Sequence, residues 1–320
     1  MFSDRSEAPG LSTSPLPVTT SVTAMSAAHP LRPLATVFGM IKFEHTLFAL
    51  PFAFLGMMLA AEGWPEWRTV WWIVVAMVGA RSAAMGFNRL ADRRFDADNP
   101  RTASRALPAG LVSPGWVAGF IVVNCALLLV AAWRLNPLAF ALAPPALLVL
   151  LGYSYTKRFT WASHLVLGLA LGGAPLGAWI AVRGAFAATP VLLAATVLLW
   201  VAGFDVLYAL QDVDFDRRRG LFSIPARFGV VGALWCSGAL HAGVLVALAL
   251  LPPLYAAEGG PSLGWGYAVG WAGCAALLAY QHSIVRPGDL SRLGAAFFQA
   301  NGLLSVWLFA ATAADLLIGF

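Results

Sequence analysis

Long apolar segments separated by short polar loops dominate the chain after a polar N-terminal stretch. Each segment has about 20 residues, the length that a helix needs to cross roughly 30 Å of hydrocarbon. The apolar runs are continuous rather than alternating, so they indicate helices and disfavour a β-barrel. The predicted fold is therefore all-α, a polytopic membrane protein with about nine transmembrane helices around a central cavity. The predicted spans lie near 41–61, 69–89, 114–133, 136–154, 161–182, 188–211, 229–251, 264–282 and 294–318.

Composition supports this interpretation. The chain is 60% hydrophobic and 11% charged, whereas soluble domains are about a quarter charged. Residues 1–35 are rich in Ser, Thr, Pro and Ala and have no continuous apolar core, which predicts a disordered tail rather than a signal peptide. Residues 36–320 are predicted to form one nine-helix domain. Three widely spaced cysteines in apolar runs form neither a disulfide framework nor a zinc pattern.

Basic residues predict the orientation. Sixteen of the 20 Lys and Arg residues fall in the tail, at the entrance of the first span, or in the loops that follow spans two, four, six and eight. Only three lie in the opposite loops, and Arg81 lies inside the second span. Because cytoplasmic loops are enriched in Lys and Arg, we expect the N-terminus and these loops to face the cytoplasm in a bacterial inner membrane. The net charge of +5 is thus explained without nucleic acid.

Acidic residues cluster at the cytoplasmic ends of spans two and six. On one continuous helix Asn88, Asp92 and Asp96 occupy an arc of about 80°. Under the same assumption Asp205, Asp212 and Asp216 fall within about 40° of one another. The pairs Asp92/Asp96 and Asp212/Asp216 have the same spacing and lie 120 residues apart, which predicts two acidic faces on opposite sides of a cavity. Two alternatives remain open: a solvated loop face, and a structural bridge between Arg81 and Asp205 within the membrane.

The chemistry of these residues indicates a metal and a diphosphate. Facing carboxylates with oxygen-only ligands suit Mg²⁺, which completes its octahedron with water and substrate phosphate. Nearby cations suit the phosphate oxygens; they are Arg93, Arg101, Arg105, Lys157 and Arg158. No Walker loop is present, so a nucleotide is not indicated. A diphosphate on a lipid-soluble tail accounts for both the polar cluster and the apolar helices around it.

Three polar motifs carry a resemblance to a known family. The first is Asn88-Arg-Leu-Ala-Asp92-Arg-Arg-Phe-Asp96, followed by Asn99-Pro-Arg-Thr102. The second is Phe204-Asp205-Val-Leu-Tyr208-Ala-Leu-Gln-Asp212-Val-Asp-Phe-Asp216. The third is Tyr153-Ser-Tyr-Thr-Lys157-Arg158. With nine spans, and in their order along the chain, these motifs resemble the signatures of the UbiA superfamily of intramembrane prenyltransferases, and the resemblance covers essentially everything after the tail.

The resemblance implies an Mg²⁺-dependent enzyme of quinone biosynthesis that joins a polyprenyl diphosphate to an aromatic ring. It implies metal ligation by one set of residues, Asn88, Asp92, Asp96, Asp212 and Asp216. It implies diphosphate binding by a second set, Arg93, Tyr153, Lys157 and Arg158, to which Arg89 is added. Asp205, Arg81 and Tyr208 are the predicted catalytic residues.

The acceptor is less closely defined. Arg89 departs from the commoner family pattern, which has Asp after the Asn, and it could bind diphosphate or an anionic acceptor. The entrance Lys42-Phe-Glu44-His45-Thr resembles a subgroup labelled 4-hydroxybenzoate polyprenyltransferase. An alternative acceptor is 1,4-dihydroxy-6-naphthoate, and haem B, a chlorophyllide and homogentisate are further alternatives. From another class, a divalent-cation transporter would also need paired carboxylates, but a surrounding cluster of Arg and Lys would repel its cargo.

Overall fold

The computed structural model describes residues 46–319, and this part of the chain is helical with no β-strand. The predicted disordered tail, Glu44 and His45 lie outside the described residues. The helices are α1 (Thr46–Ala61), α2 (Trp67–Asp98), α3 (Pro114–Leu135), α4 (Pro137–Thr156), α5 (Ser163–Arg183), α6 (Ala188–Ala209), α7 (Val213–Arg219), α8 (Ile224–Ala257), α9 (Trp265–Ile284), α10 (Leu293–Ala295) and α11 (Asn301–Ile318). A 3₁₀ turn (Leu210–Asp212) joins α6 to α7, and a π-helical turn (Ala296–Ala300) joins α10 to α11.

The predicted all-α membrane fold is confirmed, but the count of nine spans is not. Every predicted span coincides with a helix, and seven helical segments of the described residues are long and apolar enough to cross a membrane. The other two are α1, which is described over only 16 residues, and α9. Helix α9 has 20 residues, but its Trp and Tyr residues and the polar Gln281, His282 and Ser283 make it less apolar than its neighbours.

Local sequence signals explain where the central helices begin. Pro114 and Pro137 each occupy the first turn of a helix, where a missing N–H costs nothing. The preceding Ser113 and Asn136 cap these helices by accepting a hydrogen bond from a backbone N–H. Asn136 also donates to the carbonyl of Ile180 at 2.8 Å, so the turn between α3 and α4 is fixed to the end of α5.

The helices pack as two connected groups. Helix α5 contacts α1, α4 and α6, and α6 in turn packs against α8. On one side α2, α3 and α4 contact one another, and on the other α9 and α11 pair, with α11 returning to α1. Small residues permit the closest approach: a Cβ on Gly172 of α5 would lie 2.6 Å from the Ala194 carbonyl of α6. Large apolar side chains such as Leu148 and Trp235 are exposed on the outside, as on a surface facing lipid.

The two acidic stretches have different backbones. Helix α2 continues without a break to Asp98, so the prediction that Asn88, Asp92 and Asp96 belong to one helix holds. The second stretch is interrupted, because α6 ends at Ala209 and the 3₁₀ turn precedes α7. The predicted 40° arc on one continuous helix is therefore wrong for this stretch. A 3₁₀ turn advances about 120° per residue, which changes the direction of every carboxylate after it.

Candidate active site

A cavity of about 720 Å³ lies among α2, α4, α5 and α6. Its polar end is formed by the ends of α2 and α4, the turn after α6 and the start of α8, and apolar residues such as Met77, Leu142 and Val149 line the rest. The volume falls within the ordinary range of ligand sites. Eleven of the thirteen predicted site residues line it: Arg81, Asn88, Arg89, Asp92, Asp96, Tyr153, Lys157, Asp205, Tyr208, Asp212 and Asp216.

The first acidic cluster is surrounded by cations. Asp92 is 3% exposed, and its carboxylate lies 3.0 Å from Lys157 Nζ and 3.4 Å from Arg158 Nη2. Asn88 also donates to Asp92, at 3.2 Å. One turn later, Asp96 Oδ1 accepts a hydrogen bond from Arg105 at 2.7 Å. Its Oδ2 is buried and has no partner in the part of the chain that the structure describes.

The loop after α2 joins the two acidic clusters. Asn99 donates to Asp212 Oδ1 at 3.1 Å, and Arg101 forms a two-pronged ion pair with the same carboxylate. Arg101 also donates to the Tyr208 hydroxyl at 3.4 Å. Burial lowers the pKa of Arg101, but the hydrogen bond and negative charge of Asp212 outweigh this effect and raise it overall. The guanidinium therefore remains charged across the physiological range. The carboxylates of both acidic clusters line the same cavity: Asp92, Asp96, Asp212 and Asp216.

The ion pairs in the cavity bear on the alternative function of divalent-cation transport. Four cations lie within 3.4 Å of a carboxylate that lines the cavity: Arg101, Arg105, Lys157 and Arg158. A divalent cation moving along this cavity would meet these positive charges at Asp92, Asp96 and Asp212. A bound diphosphate would instead be attracted to them. The arrangement argues against the transporter alternative.

Asp205 has a partner that its sequence position does not indicate. Its Oδ2 lies 2.7 Å from Nδ1 of His164, the second residue of α5. The alternative bridge between Asp205 and Arg81 is therefore not formed. A second histidine pair forms outside the cavity lining, where His241 Nδ1 and His282 Nε2 lie 2.8 Å apart. Helix packing brings together each pair from positions 41 residues apart, a separation that no motif marks.

Arg81 has no ion-pair partner among the described residues, and its buried Nη2 donates a hydrogen bond to none of them. It lines the cavity from within α2, seven residues before Asn88. A cation at membrane depth without a partner is costly. The lining therefore contains a guanidinium suited to an anionic group of a ligand.

Two predicted diphosphate-binding residues do not line the cavity. Arg93 is exposed and donates to the Leu90 carbonyl of its own helix at 3.3 Å, because it lies 100° around α2 from Asp92. Arg158 lies outside the lining, where it pairs with Asp92 and contacts the ring faces of Phe95 and Tyr155. Among the described residues, the Lys and Arg side chains that line the cavity are Arg81, Arg89, Arg101, Arg105 and Lys157.

The residues present fit a magnesium–diphosphate unit in their chemistry. The candidate donors are oxygen atoms of Asp and Asn side chains, which Mg²⁺ prefers. The partnerless, buried Asp96 Oδ2 is such a donor. Within residues 46–319 no group of three His, Cys, Asp or Glu side chains is close enough to hold an ion by itself. Mg²⁺ commonly uses only one or two carboxylates and completes its shell with water and phosphate, so this donor set remains suitable.

Comparison with known proteins identifies the family. The model of the UbiA prenyltransferase family matches residues 49–309. The chain belongs to this family. This result confirms the family predicted from the three motifs, and the match includes all thirteen predicted site residues.

Curated relatives cover most of the chain. The chain is 33% identical over 250 residues to a 4-hydroxybenzoate octaprenyltransferase of Aeromonas hydrophila, and the aligned region spans 77% of this chain and 83% of that protein. It is 32% identical over 270 residues to a protein of the same name from Aliivibrio salmonicida, covering 82% and 89%.

Solved structures give the same fold. A UbiA homologue from Aeropyrum pernix K1 in its apo form is 33% identical, has a TM-score of 0.77, and covers 86% of this chain and 99% of its own. A UbiA homologue from Archaeoglobus fulgidus, solved with GPP and Mg²⁺, is 19% identical with a TM-score of 0.66 and coverages of 87% and 99%. At that identity the second likeness shows the fold alone.

Proposed function

We propose that this protein transfers a polyprenyl group from a polyprenyl diphosphate to 4-hydroxybenzoate in quinone biosynthesis. The observation that carries the proposal is a single cavity whose polar end holds paired acidic and basic side chains and whose remaining wall is apolar. A diphosphate with a long hydrocarbon tail matches both parts. The names of the curated relatives support the benzoate as acceptor and an octaprenyl chain as donor.

The polar end provides groups for the diphosphate. Lys157, Arg101 and Arg105 are each partly exposed, with about a third of their side chains accessible, so they can exchange a carboxylate partner for phosphate oxygens. These cations would stabilise the negative charge that develops on the departing diphosphate. Tyr153 and Arg89 line the same region and can add hydrogen bonds to it.

Asn88, Asp92 and Asp96 would hold one magnesium ion, and Asp212 and Asp216 a second. When bound, Mg²⁺ neutralises diphosphate charge and so assists cleavage of the allylic C–O bond. The apolar walls would exclude water from the electron-poor prenyl carbon, which water would otherwise capture. The residues themselves thus bind the head group, orient the tail and keep the reacting carbon dry.

Arg81 favours an aromatic acid as the acceptor. Its guanidinium lies within the cavity lining with no ion-pair partner among the described residues, and a carboxylate can accept two parallel hydrogen bonds from it. This interaction fits 4-hydroxybenzoate and also 1,4-dihydroxy-6-naphthoate. The names of the relatives favour the benzoate.

The proposal places the polar end of the cavity at the cytoplasmic face of an inner membrane, because the loops at this end carry most of the basic residues. Cysteine labelling of an intact cell tests this orientation. A cysteine introduced at Asp98, near the polar end, should react only after the membrane is made permeable. A cysteine at Trp67, at the opposite end of α2, should react in intact cells.

The acceptor is tested with purified protein, Mg²⁺ and octaprenyl diphosphate. We would supply 4-hydroxybenzoate, 1,4-dihydroxy-6-naphthoate and the neutral analogue 4-hydroxybenzamide separately and detect prenylated products by mass spectrometry. We expect product from the benzoate and at least about tenfold less from the neutral amide, since a lost charged hydrogen bond costs about 1.5–3 kcal/mol. Product from the naphthoate alone would replace the proposed acceptor, and product from none would refute the proposal.

A further inference from the structure

His164 and Asp205 form a buried polar contact in the wall of the cavity, and neither metal binding nor diphosphate binding explains it. The His164 ring is 5% exposed, whereas the Asp205 side chain is 24% exposed and lines the cavity. Asp205 belongs to α6, seven residues before Asp212 and three before Tyr208. The carboxylate is therefore accessible from the cavity, whereas its partner, which also lines the cavity, is almost fully buried.

The hydrogen bonds of His164 define which ring nitrogen carries the proton. Nε2 lies 3.3 Å from the backbone N–H of Ile224, at the start of α8. A backbone N–H can only donate, so Nε2 must present its lone pair. In the neutral ring the proton is then on Nδ1, which donates to Asp205 Oδ2 at 2.7 Å. The second carboxylate oxygen, Oδ1, accepts no hydrogen bond from the residues that the structure describes.

Building on the proposed prenyl transfer, we propose that His164 is a positioning residue that holds Asp205 as the proton acceptor for the aromatic substrate. The Nδ1–H fixes one carboxylate oxygen of this cavity-lining residue and leaves the other without a hydrogen bond from the described residues. A side chain with only a weakly defined rotamer would spend less time in the reactive orientation.

The proton must leave during the reaction. The allylic C–O bond breaks and its electron pair leaves with diphosphate, while a ring carbon of the acceptor uses a π electron pair to bond to the prenyl carbon. The ring then carries a positive charge and an extra hydrogen at the bonded carbon. Transfer of that proton to Asp205 Oδ1 returns the C–H electron pair to the ring and restores aromaticity. Asp205 afterwards releases the proton to water at the polar end.

Two amide variants separate this role from a structural one. In His164→Asn the amide nitrogen takes the place of Nδ1 and can still donate to Asp205, but nothing accepts from Ile224. In His164→Gln the amide reaches the place of Nε2 and can accept from Ile224, but the donor to Asp205 is lost. If His164 positions Asp205, the His164→Asn variant should preserve turnover. If His164 instead serves to fix the start of α8, the His164→Gln variant should preserve it.

The experiment measures kcat and KM for octaprenyl diphosphate and 4-hydroxybenzoate in purified wild type and variants. We expect His164→Gln and His164→Leu to lower kcat about 100-fold, at the lower end of the contribution of a positioned general base. The KM values should change less than about threefold, because the ring is only 5% exposed and the role assigned to it is exerted through Asp205. His164→Asn should retain kcat within about fivefold. His282→Leu, which removes a histidine pair outside the cavity lining, is the matched control and should leave kcat unchanged.

A double variant tests whether His164 acts through Asp205. If it does, Asp205→Asn combined with His164→Gln loses no more activity than Asp205→Asn alone. Additive losses, or retention of activity by Gln but not by Asn, would overturn the assignment of His164 while wild-type turnover upholds the proposed function. Absence of any product from the wild type would overturn the proposed function and this assignment with it.

Discussion

Asp92 and Asp98 provide a matched pair of carboxylates for testing the active-site assignment. Both belong to the last turns of α2, and both pair with cations. Asp92 is buried in the cavity lining, with Lys157 and Arg158 as partners. Asp98 pairs with Arg219 outside the lining, where the two side chains are 49% and 43% exposed. The change of either residue to Asn preserves shape and removes one negative charge.

The magnitude follows from what each carboxylate contacts. Loss of one positioned electrostatic group in an active site costs about 3–4 kcal/mol of transition-state stabilisation, which corresponds to about a 100- to 1,000-fold loss of turnover. We therefore expect Asp92→Asn to lose turnover by this factor. Asp98→Asn should keep wild-type turnover, because an exposed ion pair is worth about 0–1 kcal/mol and no substrate group lies beside it.

The same pair predicts a difference in stability. Asp92→Asn removes the anionic partner of two cations, and hydrogen bonds to charged groups contribute about 1.5–3 kcal/mol each. Since about a third of each cation is exposed, we expect a smaller loss of about 1–2 kcal/mol. Product formation is measured by mass spectrometry, and stability is measured by thermal unfolding of the purified proteins in detergent. An Asp92→Asn protein with more than a tenth of wild-type turnover, or an Asp98→Asn protein equally impaired, would refute the assignment.

Further predictions concern the acceptor and the metal. Arg81→Met should raise the KM for 4-hydroxybenzoate by at least about tenfold and leave that for octaprenyl diphosphate unchanged; Arg134→Met, at the opposite end of the bundle, is the control, and equal effects would contradict the carboxylate contact. Arg89→Asp should raise the KM for octaprenyl diphosphate more than that for 4-hydroxybenzoate, because Arg89 lines the polar end beside Tyr153; an unchanged diphosphate KM in steady-state kinetics would argue against this role. EDTA should abolish turnover and Mg²⁺ restore it, whereas turnover that persists in EDTA would exclude the metal role of Asp212.

The sequence predicts the helices well because membrane spans leave a strong local signal. The span predicted near 114–133 is observed as Pro114–Leu135, since Ser113 and Pro114 mark its start by their own chemistry. The helix predicted near 69–89 extends to Asp98. The apolar run in the sequence stops where the membrane ends, whereas the helix continues beyond it. The break at Leu210–Asp212 contains no Gly or Pro, so nothing local indicates it.

The site was predictable where the motif is continuous along one helix and not where it depends on packing. Asn88, Asp92 and Asp96 lie together because the helix period places them there. Arg93 follows the same period and faces away, which its position could have indicated. His164 lies beside Asp205 only because α5 and α6 pack closely, and no spacing in the sequence encodes that contact.

The most direct test of prenyl transfer measures both products of one reaction. Purified protein in lipid nanodiscs is given octaprenyl diphosphate, 4-hydroxybenzoate and Mg²⁺, and prenylated benzoate and released diphosphate are quantified together. We expect equal amounts of the two products, no product in EDTA, and neither product in the Asp92→Asn protein above about one hundredth of the wild-type amount. Diphosphate released without prenylated benzoate, or no release at all, would contradict this expectation.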